Sequence, residues 1–110
     1  ESELLGITMW YLIIGTDVEN SLEQRIAARP EHLARLQVLA NAGRLKLAGP
    51  LPAIDSENPG DAGFTGSVIV ASFDNLQNAQ AWALNDPYLH EGVYSKVDVR
   101  PFKLVFQDGK

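Results

Sequence analysis

The sequence predicts an α+β domain with its elements in the order β-α-β-β-α-β. Three observations predict it. Four short apolar runs read as strands, three of them rich in β-branched and aromatic residues. Two stretches carry apolar residues at helical spacing. Each helical stretch follows the first or third of those strands, so one strand–helix–strand rhythm recurs. With 110 residues, 45% of them hydrophobic, the chain suits one domain with its own core and leaves no room for two.

Residues 1–8, ESELLGIT, read as an appendage ahead of a domain over 9–107, with 108–110 as a short tail. The first strand is MWYLIIGTD, 9–17, which stops at Gly-Thr-Asp. Next comes a helical stretch in which Ser21 and Gln24 have the spacing of a capping box. Pro30 lacks a helical donor and crowds the preceding turn. Either one helix bends there, or a short turn ends and a second helix begins with Pro30 in its first position. The second option fits the pattern that follows, in which Leu33, Leu36, Leu39 and Ala40 form one apolar face, and Gly43 is a natural stop. RLKLAGPLP, 44–52, is the second strand, with Leu45 and Leu47 on one side.

A loop rich in Pro, Gly and Asp fills 53–66, long enough to suggest a flap or hairpin excursion. SVIVASF, 67–73, is the third strand. NLQNAQAWAL, 75–84, is the second helix, with Leu76, Ala79, Trp82 and Ala83 facing inward. DPYLHEGVY, 86–94, is a turn holding a brief helical piece. SKVDVRPFKLVF, 95–106, is the fourth strand, broken or bulged at Pro101 and suited to a sheet edge.

This order is that of a ferredoxin-like domain: a four-stranded antiparallel sheet with helices on one face. Two helices leave the other face bare. Yet Trp10, Leu12 and Ile14 alternate with Tyr11 and Ile13, and Val68 and Val70 alternate with Ile69, Ala71 and Phe73. Both faces are therefore apolar, and an uncovered apolar sheet is unusual on a soluble monomer. A homodimer packed sheet against sheet is expected. The alternative is a mildly apolar outer face covered by the extension or the loop.

Nine basic against 14 acidic residues give a net charge of -5, which argues against a general nucleic-acid binder or one of anionic membranes. The absence of cysteine removes thiolate chemistry and cysteine metal sites, and fits a reducing cytosol. MWYLII is too short to cross a bilayer and follows acidic residues, so neither a span nor a signal peptide is expected, and the location expected is cytoplasmic. No nucleotide motif, nucleophile elbow or metal-ligand set is visible, so no cofactor or metal is expected.

The residues with chemical promise lie in a few places. His32 shares a helical row with Leu36 and Leu39, so its imidazole borders the buried stripe, where it suits proton transfer. The plainer alternative is a helix histidine bonded to a carbonyl. Asp86 precedes Pro87, a common turn start. Because antiparallel helices bring the start of one near the end of the other, its carboxylate could instead hold one ring nitrogen of His32. Arg29 and Arg35 flank the histidine at three residues and either could clamp a carboxylate or lie along the helix. Gly49 and Pro50 in AGP, and Ser67 in TGS, sit at strand ends where backbone N–H groups could meet an oxyanion. Tyr88, Tyr94 and Phe64 could line a pocket or only pack. His90 beside Glu91 reads as solvated surface.

Four segments taken together, SLEQRIAARPEHLARL, AGPLPAIDSENPGDAGFTGS, AQAWALNDPY and GVYSKVDVRPFKLVF, resemble the YciI family, or YCII-related domain, from about Met9 to Phe106. The resemblance implies a dimeric α+β barrel of ferredoxin-like subunits. Its wider superfamily includes muconolactone isomerases and enzymes that eliminate chloride from chlorinated aromatics. It also implies a His/Asp catalytic centre, which falls on His32 of RPEHL and Asp86 of NDPY. The function expected is a small cofactor-free isomerase or lyase acting on a small conjugated acid, with Arg29 and backbone N–H groups near Gly49 and Ser67 stabilising an anion. Two alternatives stand beside it: a non-catalytic dimer that binds a metabolite or assists another protein, and a haem-binding barrel with His32 as axial ligand.

Overall fold

The computed structural model describes residues 9–110, so the expected appendage lies outside the described residues. The elements are β1 (Met9–Asp17), α1 (Leu22–Asn41), β2 (Leu45–Pro52), β3 (Phe64–Phe73), α2 (Leu76–Leu84), α3 (Pro87–His90) and β4 (Tyr94–Phe102), with a 3-10 turn at Gly60–Ala62. The strands form one antiparallel sheet in the order β2-β3-β1-β4, the ferredoxin-like arrangement. The alternation in β1 and β3 sends Tyr11, Ile13, Ile69, Ala71 and Phe73 to the helix side. There they close a core with Leu36 and Leu39 of α1 and Ala79 and Ala83 of α2. On the other face Trp10, Leu12, Ile14 and Val68 remain half-buried and Leu47 and Leu51 are exposed.

The first helix departs from its expected pattern in three ways. It runs unbroken through Pro30, which sits on the exposed side, so the two-helix option is not taken. Its buried stripe is Arg25, Ala28, His32, Leu36 and Leu39. Leu33 is 43% exposed and Ala40 is exposed, because two polar side chains with buried partners occupy the stripe that an apolar-only pattern assigns elsewhere. The capping box does not form: Ser21 already has helical backbone angles (φ -82°, ψ -4°) rather than the extended ones of a cap, and its hydroxyl donates to Asp17 Oδ2 at 2.6 Å. The helix ends as expected at Gly43 (φ +72°). Its N–H bonds Ala40 O at 3.0 Å and the Arg44 N–H bonds Leu39 O at 2.9 Å, the paired closure that a left-handed residue permits.

The strands carry smaller corrections. A bulge between Leu45 and Leu47 places them opposite Ala71 and Val70, on opposite faces rather than on one side. β3 begins at Phe64, which shortens the loop to 53–63. β4 ends at Phe102 and passes Pro101, paired with Tyr11, without a break; its register shift falls at Thr16/Asp17. As an edge strand it tolerates the missing N–H there. In α2, Ala79 and Ala83 are buried and Trp82 packs beside Phe73, while Leu76 reaches the surface.

Candidate active site

The site is assembled where α1 passes the four-residue helix α3. The local sequence Asp86-Pro87 builds α3: Pro87 sits at its first turn, and Asp86 caps it by accepting the Tyr88 N–H at 2.9 Å. The cap orients the carboxylate. The same group then meets His32 Nδ1, at 2.9 Å from Oδ1 and 3.1 Å from Oδ2. The turn role and the histidine-holding role, alternatives in the sequence, are filled by one side chain. Both partners are buried, with side chains 7% and 4% exposed. A carboxylate only accepts, so Nδ1 donates and Nε2 is the ring nitrogen left for other work. Tyr88, two residues after Asp86, stacks on the imidazole at 3.9 Å and 6°. Tyr94 meets Tyr88 edge-on at 5.4 Å.

Beside the imidazole lies a cavity of about 200 Å³. Its wall is formed by Arg25, Arg29, His32, Leu33 and Leu36 of α1, Ala48, Gly49 and Pro50 of β2, Ser67 and Ile69 of β3, and Tyr88. Asp86 stands behind His32 rather than on the wall. The cavity therefore sees the imidazole, not its carboxylate.

Arg25 anchors the far part of the wall. Its Nε donates to Asp17 Oδ2 at 2.7 Å, and its Nη2 to Gly66 O at 2.8 Å and Ser67 Oγ at 2.6 Å, with Asp17 Oδ1 at 3.2 Å. The guanidinium lies 4.9 Å from the centre of the Tyr88 ring and 5.2 Å from that of Phe64. Burial pushes the Tyr88 hydroxyl above the ordinary phenol range, against the opposing pull of Arg25 and Arg29. Burial likewise raises Tyr94. Both phenols stay neutral around the site.

Of the residues expected at a site, His32, Arg29, Gly49, Pro50, Ser67 and Tyr88 share one cavity wall, with Asp86 directly behind. Tyr94 does not line it: it is 5% exposed and packed behind Tyr88, because Gly15 leaves a flat place for its ring. Gly49 makes no close approach, since an added Cβ there would meet nothing within 4 Å. Ser67 lies in β3, paired with Gly15 on one side and Pro50 on the other, and contributes its hydroxyl, while Gly49 lies on the edge strand β2. Arg35 donates to Trp82 O at 2.8 Å and covers the Trp82 ring, tying α1 to α2. Phe64 packs under Arg25, and His90 is exposed as expected. Sequence reasoning missed Arg25 and Asp17. The available signal was position: Arg25 precedes His32 by two helical turns, on the same face.

A ferredoxin-like domain with a buried imidazole–carboxylate pair at the edge of a small cavity is the class that fold and site define. The YCII-related domain model matches residues 9–103, and the chain belongs to that family. It is 57% identical to the protein YciI of Escherichia coli over 98 residues, 89% of this chain and 100% of that one. An uncharacterized protein of Haemophilus influenzae is 56% identical over the same shares of the two chains. Among solved structures, TftG of Burkholderia phenoliruptrix superposes with a TM-score of 0.75 at 26% identity, covering 86% of this chain and 94% of that one. TftG is a 5-chloro-2-hydroxyhydroquinone dehydrochlorinase, solved in complex with 2,5-dihydroxybenzoquinone.

Proposed function

We propose that the protein is a small enzyme that moves protons on a small conjugated or aromatic-derived acid, as an isomerase or an eliminating lyase, without a bound cofactor. One observation carries this reading: His32 is held through Nδ1 by a buried carboxylate while its ring lines a cavity. Asp86 fixes the tautomer and supports the positive charge that His32 acquires on taking a proton. Nε2 is then the general base, and afterwards the general acid. In an elimination the base takes a proton, the bonding pair joins the conjugated system, and the leaving group departs as an anion. In an isomerisation the same proton returns to a different atom. Arg29, on the wall, supplies positive charge for the anionic form.

The likeness to TftG supports an elimination in particular, since that protein removes chloride from a hydroxylated ring and matches over most of both chains. The cavity suits small compounds: about 200 Å³ falls below the roughly 300–1,000 Å³ common for drug-sized ligands. That size gives no support to the haem reading. The apolar outer sheet supports a homodimer, each copy covering the other's Trp10, Leu12, Ile14 and Val68.

The test is turnover of chlorinated hydroquinones and small unsaturated acids, followed by chloride release and by absorbance. His32→Ala is expected to cost about 100-fold or more in kcat, and Asp86→Asn about tenfold or more. Unchanged turnover in either variant overturns the reading. A binder without catalysis would instead convert nothing and keep its ligand in His32→Ala.

A further inference from the structure

Arg25 is 6% exposed, yet it lines the cavity. Its Nε hydrogen goes to Asp17, and its Nη2 hydrogens to Gly66 O, Ser67 Oγ and Asp17. Its Nη1 hydrogens have no partner among the described residues. Nη1 is also absent from the fully enclosed polar atoms that lack one, so it retains some access. The plane of the guanidinium is fixed by four bonds and by the Tyr88 and Phe64 rings, so the direction of those hydrogens is fixed as well.

Ser67 adds to this. Its oxygen accepts from Arg25 at 2.6 Å, so its own hydrogen must point elsewhere, and Ser67 is also on the cavity wall. Two Nη1 hydrogens without an acceptor therefore stand on the cavity wall beside the Ser67 hydroxyl, which Arg25 leaves free to donate toward Tyr94 or toward the cavity. A set made only of donors matches a deprotonated oxygen.

We infer that Arg25, with Ser67, forms the subsite for the anionic oxygen of the substrate, a carboxylate or enolate, and thereby selects acids over their neutral analogues. The inference rests on the proposed function and adds a positioning residue to it. Asp17 balances the charge of Arg25, so the contribution of Arg25 is directed hydrogen bonding. Net positive charge comes from Arg29, which is exposed and has no ion-pair partner among the described residues. The imidazole and the guanidinium both contact the Tyr88 ring, at 3.9 and 4.9 Å from its centre, so one small conjugated molecule can reach both.

Salt separates the two arginines. Screening weakens the pull of an exposed charge and leaves a buried hydrogen bond nearly untouched. The experiment is calorimetric titration of 2,5-dihydroxybenzoquinone, an anion at neutral pH, and of its uncharged dimethyl ether, at low and high salt. The wild type is expected to bind the anion at least tenfold more tightly than the ether. Arg25→Lys is expected to lose that preference at both salt levels, while Arg29→Gln loses a few-fold at low salt only. Where Arg25→Lys melts before titration, Ser67→Ala replaces it, with a smaller loss of the same kind. Wild type that binds neither compound, or shows no preference, overturns the inference. So does an Arg25→Lys, or the replacing Ser67→Ala, that keeps the full preference. In His32→Ala the preference for the anion over the ether is expected to persist while turnover is lost, so a failure of the subsite is distinct from a failure of proton transfer at His32.

Discussion

Tyr94 shows how one side chain can be costly to keep. Its hydroxyl is fully buried and has no hydrogen-bond partner among the described residues. Such a group loses its water without recompense, typically about 1–3 kcal/mol. Tyr94→Phe keeps the ring against Gly15 and Tyr88 and removes the stranded oxygen. It is expected to be neutral or stabilising in urea unfolding at neutral pH, and a loss above about 1 kcal/mol would contradict this. The sign with pH also follows. Burial raises the Tyr94 phenol, so the unfolded chain gives up this proton first. Stability from this group is complete below the ordinary phenol value of about 10 and falls as pH rises beyond it. Tyr94→Phe should therefore show a shallower alkaline decline than wild type. His32 and Asp86 were legible in the sequence as candidates, one by its helical row and both by family likeness. Arg25 was not. An arginine in a helix reads as solvated charge, and nothing local reveals that Asp17, Gly66 and Ser67 wait to receive it.

At the scale of elements, alternation and spacing revealed the strands and helices because each strand of the sheet presents one face to the helices. Their irregularities were hidden. The bulge near Lys46 inserts one residue without changing composition, so Leu45 and Leu47 still read as neighbours. Thr65-Gly66 reads as a turn, yet Gly66 belongs to β3, paired with Thr16 and Leu51, and is glycine there because a Cβ would collide with the Gly15 carbonyl. Gly15 is constrained in the same way by the Tyr94 ring. Gly15→Ala is expected to destabilise by about 1–3 kcal/mol, the usual cost of overpacking, and thermal unfolding with an unchanged midpoint would contradict that. Pro30 lies on the exposed side of α1 and deprives the helix of one hydrogen bond. Pro30→Ala should raise stability by about 1–3 kcal/mol, the propensity gap for a helix interior. No gain in chemical denaturation would show that the bonds around Pro30 already compensate.

The whole molecule keeps one sheet face for its helices and leaves the other apolar. Among the described residues no helix is long and apolar enough to cross a membrane. The proposed homodimer places those outer faces together, and sedimentation should give about twice the 12.0 kDa of one chain. Leu12→Arg, on the bare face, should shift it toward the monomer; a wild type that sediments as a monomer at all concentrations would remove the dimer. Proton transfer at His32 depends on less. It needs an imidazole whose Nδ1 hydrogen is tied to Asp86 and whose Nε2 is open to a substrate. Long-range proton–nitrogen NMR of His32, recorded where the ring is neutral, tests that directly. A protonated Nδ1 and a bare Nε2 are expected, with the Nδ1 proton lost to rapid exchange in Asp86→Ala. A hydrogen resident on Nε2, unaffected by removing Asp86, would contradict it.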